Sequence, residues 1–311
     1  MSPDTKRVVA TVGGRQISLS NLTKVLYPSG YTKGDVIEYY TRIAPVMLPH
    51  LKARPVTVKR FPEGTDRSGF IEKNVPSHAP EWVRTVTLPR KGTGWGRERD
   101  SGRQVTEFTV VDDLATLTWL ANLAAIELHT PMWRTGRDGQ PRTPDLLVFD
   151  LDPGEPATIT ECCEVALALR ERLEDDGIAL LAKTSGSKGL QCYGRIGSRR
   201  WAAGRSNDYA HDVAEEIERS LPDLVVSRMT KSVRAGKVLI DWSQNNMAKT
   251  TVSPYSLRAL DRPSVSTPVT WDEVAEGSGR HVDLLGFSPD DVLARVAERG
   301  DLFAPLLPAS R

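Results

Sequence analysis

The sequence predicts a protein of mixed α-helices and β-strands, built as one large domain or as two intimately packed lobes. Short apolar segments typical of buried strands alternate with amphipathic segments that have helical spacing. The 311 residues, with a hydrophobic content of 39%, suffice for a sizeable core. No apolar run approaches the roughly 18 residues that a membrane-spanning helix needs. We expect a single domain over residues 11–305, with loose tails at residues 1–10 and 306–311.

Charge and cysteine content limit the kinds of binding surface and the cellular compartment that we expect. The net charge is only +1, so any surface that binds nucleic acid must be local. The three cysteines, Cys162, Cys163 and Cys192, lack the spacing of metal ligands or of a disulfide framework. This pattern indicates a reducing compartment, and we expect a cytoplasmic protein without a membrane partner.

The N-terminal region contains a predicted hairpin and a predicted helix. Residues 11–19 alternate and include two glycines, which is typical of a small hairpin. A helix opens near Thr32, a good N-cap residue, and is expected to be disturbed at Pro45. Lys24 and Lys33 flank the turn before this helix, where a helix N-terminus favours a phosphate. Both lysines can equally be solvated surface residues.

A basic strand follows at Arg54–Phe61. Lys59 and Arg60 lie near its end, and Phe70 and Lys73 come shortly after it. Cations next to an aromatic ring suit nucleic acid, because the cations bind the backbone and a base stacks on the ring. The alternative is that Phe70 belongs to the core.

The next two segments are a loop and an apolar stretch. Arg90–Gln104 is rich in glycine and basic residues, which predicts a loop. This loop either binds a polyanion or is a plain flexible insertion. Asp112–Leu128 is apolar nearly all round, which predicts a buried helix. His129 follows this predicted helix, and a lone histidine at such a position is either structural or functional.

The stretch Leu147–Gly154 organises the chemistry of the chain. It is a predicted short buried strand that Pro153 and Gly154 stop. Because side chains alternate along a strand, Asp150 and Asp152 point to the same face. Two nearby carboxylates repel each other and lose solvation in a cleft, and a divalent metal relieves both effects. The alternative is a strand end with two solvated aspartates.

A phosphate-binding loop is predicted beyond this strand. A helix over Thr160–Asp175 and a strand over Ala179–Lys183 lead to the loop Thr184–Leu190. Its glycines allow backbone N–H groups to approach phosphate oxygens, and Ser185 and Lys188 add a hydroxyl and a cation. The spacing is not that of a Walker A motif.

A third carboxylate ends another predicted strand. After a predicted helix over Asn207–Leu221, the segment Ser227–Lys237 places a cation at every third residue, including Lys231 and Arg234. This positive ridge runs directly into a buried strand that ends at Asp241. Four cations followed by a carboxylate at a strand end indicate a functional site rather than surface charges that serve only solubility.

Together these motifs resemble one family, the polymerase domain of bacterial DNA ligase D in the archaeo-eukaryotic primase superfamily. The resemblance covers about residues 17–305, and no ligase or nuclease sequence is attached, so we expect a stand-alone member. It implies an α+β primase-polymerase (AEP) fold, an RRM-like catalytic sheet packed on a second α/β lobe. The segments that carry it are Leu147–Gly154, Thr184–Leu190, Met229–Val238 and Ile240–Asn245, with Leu26–Pro28, Glu72–Asn74 and Ala79–Trp82.

The resemblance implies an enzyme, a nucleotidyltransferase that extends primer 3′-ends and fills gaps. The family acts in double-strand break repair by non-homologous end joining, or in gap and excision repair, with two divalent ions, Mn²⁺ or Mg²⁺. Its substrates are nucleoside triphosphates, preferably ribonucleotides. The implied partners are gapped or broken DNA with a downstream 5′-phosphate, a separate ligase and an end-binding protein such as Ku. We expect a monomer associated with the bacterial nucleoid, and synapsis of two ends through DNA.

Residue roles follow from positions that match the family. The metal-binding catalytic carboxylates are Asp150, Asp152 and Asp241; the nucleotide-binding residues are His129, Ser185, Lys188, Gln244 and Arg258; the 5′-phosphate-binding residues are Asn21, Lys24 and Lys33; and Phe70 stacks on the template. Further DNA contacts are expected at Lys59, Arg60, Lys73, Lys231 and Arg234. His129 is the candidate for contact with the ribose 2′-hydroxyl.

The chain departs from the family pattern at three places. Ile71 replaces a second aromatic residue, so base stacking is expected to be weaker or displaced. Gln191 stands where a histidine is usual, and residues 90–104 are predicted to form a loop longer than is expected for the family. Three alternatives stay open: a primase that starts chains without a primer, a non-catalytic module that bridges DNA ends, and a metal-dependent nuclease. The three aspartates argue against the second and the phosphate loop against the third.

Overall fold

The computed structural model describes residues 7–89, 105–197, 201, 204–279 and 286–308. It confirms the mixed α+β architecture. The strands are β1 (Arg7–Val12), β2 (Arg15–Ser20), β3 (Pro55–Arg60), β4 (Phe70–Glu72), β5 (Thr85–Pro89), β6 (Val105–Val110), β7 (Ala125–Thr130), β8 (Leu146–Pro153), β9 (Leu180–Thr184), β10 (Leu190–Arg195), β11 (Val225–Val226), β12 (Val238–Asp241), β13 (Thr251–Val252), β14 (Leu257–Arg258), β15 (Ser264–Val265) and β16 (Pro268–Val269). The helices are α1 (Lys33–Leu51), α2 (Leu114–Asn122), α3 (Ile159–Glu174), α4 (Arg205–Ser220), α5 (Trp271–Gly279) and α6 (Pro289–Arg299).

The first lobe is a sheet in the order β13-β7-β3-β6-β5, with β4 paired to β3. Helices α1 and α2 pack together over its core. The predicted N-cap at Thr32 is confirmed: its side chain accepts from the Asp35 N–H at 3.2 Å, and Asp35 accepts from the Thr32 N–H at 2.7 Å. The expected disturbance at Pro45 is wrong, because α1 continues through Pro45 to Leu51. Its buried face contributes to the core of this lobe, and that burial outweighs the missing backbone hydrogen bond.

The single helix predicted over Asp112–Leu128 is also wrong. Helix α2 ends at Asn122, and the chain reverses at Ala124, whose φ is 57°, before entering β7. An apolar segment that is buried on every side is compatible with either a helix or a central strand, so its periodicity does not decide between them. His129 therefore lies within a strand of the first sheet rather than beyond a helix.

The domain boundaries differ from the expected ones at both ends. Residues 7–10, expected in a loose tail, form most of β1, which pairs with β2 in the predicted hairpin. Near the other end, residues 304–306 form a 3₁₀ turn in which Leu306 is buried, so the chain is packed beyond the expected limit at 305. The predicted loop at residues 90–104 and the outermost residues of both tails lie outside the described residues.

The second lobe is a sheet in the order β11-β12-β8-β10-β9-β16, and α3 and α4 bury their apolar faces against it. Strand β8 lies between β12 and β10 and is antiparallel to both. Helices α3 and α4 agree with the predicted helices to within two residues. None of the helices in the described ranges is long and apolar enough to cross a membrane.

Candidate active site

Three aspartates meet on the central strands of the second sheet. Asp150 of β8 lies directly opposite Asp241 of β12 in the antiparallel register, so both side chains project from the same face. Asp152, two residues further along β8, projects from that face as well. Burial, together with the charges of Asp152 and Asp241, raises the pKa of Asp150 to about 7. The carboxylates are therefore close enough to repel one another.

Amide and hydroxyl groups hold two of these carboxylates. Asp241 accepts from the Ser243 N–H at 3.1 Å and from Gln244 Nε2 at 2.8 Å, and Asp150 accepts from Gln191 Nε2 at 2.9 Å. Within the described ranges, no three or more His, Cys, Asp or Glu side chains are already arranged so that together they could hold a metal ion. The mutual repulsion of the carboxylates and the burial of Asp241 nevertheless fit a divalent cation, which would neutralise them.

A buried lysine lies behind the acidic centre, and the sequence reasoning missed it. Lys183 of β9 is completely buried and donates to Gln191 Oε1 and to the Ser266 hydroxyl. Burial lowers its pKa, and the charge of Asp150 opposes this effect. Because Lys183 engages the oxygen of the Gln191 amide, the Gln191 nitrogen is directed at Asp150. The available signal was one cation in an otherwise apolar strand.

The predicted phosphate loop lies between β9 and β10. The Ser185 hydroxyl accepts from the backbone N–H of Ser187 at 3.2 Å and of Gly189 at 3.1 Å, so the loop folds around this side chain. Arg258 of β14 donates to the Ser185 carbonyl. Lys188 is well exposed and pairs with Glu155 at 3.0 Å. This contact lies at the surface, and a polyphosphate can displace it at little cost.

Glu127 is a second residue that the sequence reasoning missed. It lies two residues before His129 on β7, on the same face of the strand, and is 4% exposed. His129 Nε2 lies 3.0 Å from one of its oxygens, and Arg258 Nε lies 3.4 Å from the other. Burial alone raises the pKa of Glu127, but the hydrogen bond with His129 and the charge of Arg258 lower it to about 2. The helix predicted over this segment concealed the shared face.

Several of these residues line one cavity of about 340 Å³ between the two sheets. It brings together residues that lie far apart in the sequence and that were predicted for metal and nucleotide binding. Its lining includes His129, Asp150, Asp152, Ser185, Lys188, Gln191, Gln244 and Arg258.

A separate group of cations lies near the N-terminus of α1. Lys33 is only 6% exposed and donates to the Ser20 hydroxyl at 3.2 Å, so it is not a solvated lysine. Burial, with the charges of Lys24 and Arg60, lowers its pKa to about 8. The Lys24 side chain pairs with the exposed Glu63. The Lys24 N–H donates to the Asn21 carbonyl, and Asn21, with a φ of 54°, shapes this turn. The carboxylates in contact with this cluster do not neutralise all of its cations, and the remaining positive charge suits a phosphate.

The side chain predicted to stack on the template lies on the surface, and the cations near it are partly buried. Phe70 is 44% exposed and Ile71 is 59% exposed, so the interpretation of Phe70 as a core residue is wrong. Arg60 stacks over the Phe70 ring at 5.2 Å and pairs with Glu72 at 3.0 Å. Lys59 lies over the ring of Phe61 at 5.0 Å. Lys73 follows β4 and is half-buried.

The positive ridge is only partly a free surface. Lys231 is exposed at the start of a 3₁₀ turn, whereas Arg234 donates to the Met229 carbonyl and Lys237 to the Pro222 carbonyl. Burial and the charge of Asp241 raise the pKa of Asp152, and the charge of Arg234 opposes this. Arg234 is therefore placed beside the acidic centre.

Comparisons with known proteins agree with this arrangement. A family model described as LigD, primase-polymerase domain, matches residues 32–303. The multifunctional non-homologous end joining protein LigD of Mycolicibacterium smegmatis is 44% identical over 292 residues, which cover 94% of this chain and 36% of that protein. Its counterpart in Mycobacterium tuberculosis is 41% identical over 299 residues, which cover 94% of this chain and 37% of that protein.

A solved structure is similar over nearly the whole chain. It is the polymerase domain of Mycobacterium tuberculosis ligase D in complex with DNA, with a TM-score of 0.84 and 40% identity, and the match covers 94% of this chain and 99% of that domain. The chain thus spans little more than a third of the full-length relatives but almost all of this domain. The resemblance and the primase-polymerase fold are confirmed, and the chain belongs to the LigD primase-polymerase domain family of nucleotidyltransferases.

Proposed function

We propose that this chain is a template-dependent polymerase that adds nucleotides, preferably ribonucleotides, to primer 3′-ends. It fills gaps that carry a downstream 5′-phosphate, in non-homologous end joining or in gap and excision repair. One observation carries the proposal: the strand register sets Asp241 opposite Asp150, and Asp150 lines a cavity together with the predicted phosphate loop. A scaffold that only bridges DNA ends gains nothing from repelling, partly buried carboxylates.

Asp150, Asp152 and Asp241 would hold two divalent ions, Mn²⁺ or Mg²⁺. When bound, such a pair stabilises the attacking and the leaving oxygens of an in-line displacement. Gln191 and Gln244 orient two of the carboxylates through the amide hydrogen bonds described above.

The phosphate loop and Arg258 would bind the triphosphate. The primer 3′-hydroxyl loses its proton and attacks the α-phosphorus, and the bond from that phosphorus to the bridging oxygen breaks so that pyrophosphate leaves. Negative charge grows on the departing oxygens, and the cations of Lys188 and Arg258, with the Ser185 hydroxyl, stabilise it. His129 lines the same cavity, where it would face the sugar.

The lysine cluster would bind the 5′-phosphate beyond the gap. Lys24 and Lys33 supply two cations, and Asn21 shapes the adjoining turn. Phe70 offers an exposed ring for the template base, with Lys59, Arg60 and Lys73 nearby for its backbone, while Lys231 and Arg234 would contact DNA near the acidic centre. A separate ligase and an end-binding protein such as Ku would be partners, in the cytoplasm at the nucleoid.

The test is extension of a gapped DNA substrate with ribo- or deoxynucleoside triphosphates and with Mn²⁺ or Mg²⁺. We expect extension by the unsubstituted protein, and none by Asp241→Ala, while DNA binding in a mobility-shift assay is retained. Asp223→Ala, at an exposed aspartate before β11, is the matched control and should extend normally. Normal extension by Asp241→Ala contradicts the metal role. Products on single-stranded template with nucleotides alone would instead identify a primase.

A further inference from the structure

Glu127 is a buried carboxylate that contacts two of the nucleotide-binding residues at once. One of its oxygens lies 3.0 Å from His129 Nε2. The other accepts from the Ala259 N–H at 3.2 Å and lies 3.4 Å from Arg258 Nε. No part of the polymerase mechanism described above uses Glu127, and it is not among the residues that line the cavity.

The chemistry of this contact determines where the His129 proton lies. Paired with Arg258, Glu127 is ionised, and an ionised carboxylate can only accept hydrogen bonds. His129 Nε2 must therefore carry a hydrogen and donate it. In a neutral imidazole this leaves Nδ1 as an acceptor. No described residue forms a hydrogen bond with Nδ1, and the ring lines the nucleotide cavity, so this nitrogen is available to a ligand.

The surrounding strands make the arrangement rigid. Glu127 and His129 share one face of β7. This strand pairs with β3, in which Lys59 lies opposite Glu127 and Thr57 lies opposite His129. Arg258 extends the connection to the second lobe, because it donates to the Ser185 carbonyl of the phosphate loop. Groups held this way on strands are positioned better than groups on loops.

We propose that Glu127 is a positioning residue for sugar selection: it holds His129 with the proton on Nε2, so that Nδ1 accepts a hydrogen bond from the nucleotide 2′-hydroxyl. This rests on the proposed polymerase function. A site that bonds a substrate hydroxyl rejects the analogue without it, because the buried partner is then left unpaired. Glu127 would thus favour ribo- over deoxynucleotides without touching either.

The experiment compares kcat/KM for ribo- and deoxynucleotides in Glu127→Ala, Glu127→Gln, His129→Ala and the double variant Glu127→Ala/His129→Ala. Glu127→Ala should lose up to about tenfold of the ribonucleotide preference, the scale of one hydrogen bond between neutral groups. Glu127→Gln should keep part of it, because the amide oxygen can still accept the Nε2 proton. The double variant should resemble His129→Ala, because the two residues act through one contact. Glu107→Ala, at an exposed glutamate of β6, is the control and should change nothing.

Nitrogen-15 NMR of histidine gives a second readout that needs no nucleotide. His129, assigned through the His129→Ala spectrum, should show the Nε2–H form in the unsubstituted protein and mixed forms in Glu127→Ala. Equal losses for both sugars in folded Glu127→Ala, additive losses in the double variant, or an Nδ1–H form of His129 would each overturn the proposal. If the unsubstituted protein extends no primer, the proposed function fails and the sugar contact fails with it, even where the NMR form is as expected.

Discussion

Replacing Asp150 by asparagine is expected to stabilise the metal-free protein while it abolishes primer extension. In the folded protein, burial and the neighbouring carboxylates raise the pKa of Asp150 from 3.8 to about 7. At about 1.4 kcal/mol for each pKa unit, ionising this group in the folded state costs ~4 kcal/mol. Asparagine has nearly the same shape, can still accept from Gln191 and cannot ionise, so it removes this cost.

The sign of the pH dependence follows from linkage. A carboxyl whose folded pKa is raised contributes no cost below its ordinary value of 3.8, and the cost grows as the pH rises to about 7 and is complete above it. This cost already includes the attraction between Asp150 and Lys183, and solvent in the cavity screens part of the repulsion, so we expect a net gain of about 2 kcal/mol at pH 8. For a chain of this size that gain raises the melting temperature by about 3 °C, and the gain should vanish near pH 4.

The assay is thermal unfolding followed by circular dichroism, with EDTA, at several values of pH. Asp138→Asn, which alters an exposed ion pair with Arg142, is the matched control and should leave the melting temperature unchanged. Added Mn²⁺ should raise the melting temperature of the unsubstituted protein more than that of Asp150→Asn. If Asp150→Asn is no more stable than the unsubstituted protein at pH 8, the reasoning about carboxylate repulsion is refuted.

Three further outcomes are expected. Lys24→Ala with Lys33→Ala should weaken binding to gapped DNA about tenfold when the downstream 5′-phosphate is present; in fluorescence anisotropy, an equal loss without that phosphate would indicate a general backbone contact. Asp301→Asn should lower the free energy of unfolding in urea by about 2 kcal/mol at pH 7, because this carboxylate accepts hydrogen bonds from a histidine, a tyrosine and a backbone N–H. These hydrogen bonds lower the pKa of Asp301, although burial acts in the opposite direction. The difference in unfolding free energy between the two proteins should therefore shrink only as the pH falls below 3.8. A difference that stays constant below this pH would contradict the prediction. Gly186→Ala should raise KM for nucleotides about tenfold, because a Cβ there lies 2.8 Å from Arg258 Cγ. Gly177 has the same φ of 69° but open space around it, so Gly177→Ala is a control that introduces the backbone strain without displacing the phosphate loop. Equal KM values for the two variants would contradict the explanation by displacement of the loop.

Local patterns in the sequence were sufficient wherever one element decides the geometry. Alternation along β8 places Asp150 and Asp152 on one face whatever packs around them. The glycines of residues 184–190 likewise predict a loop, and one lies there between β9 and β10; phosphate binding by this loop stays a prediction. The capping box at Thr32 is a local hydrogen-bond pattern, and it starts α1 where the sequence indicates.

Patterns failed where burial overrides local preference. The apolar stretch around residues 112–128 has no polar face to reveal its period, so the division between α2 and β7 depends on the sheet that receives β7. That one error also concealed Glu127, because a helix places residues two apart on different faces and a strand places them on the same face.

The amino-acid sequence was enough to identify the family and the α+β class, both of which are confirmed, and to name the residues that we propose for binding metal, triphosphate and DNA. Which of these residues lie together depends on the tertiary structure. The register between β8 and β12 sets Asp241 opposite Asp150, and a shift of one residue would turn Asp241 to the other face. Tertiary burial likewise turns Lys183 and Glu127 into internal partners of the site, because a charge removed from water requires a specific counterpart that no linear pattern names.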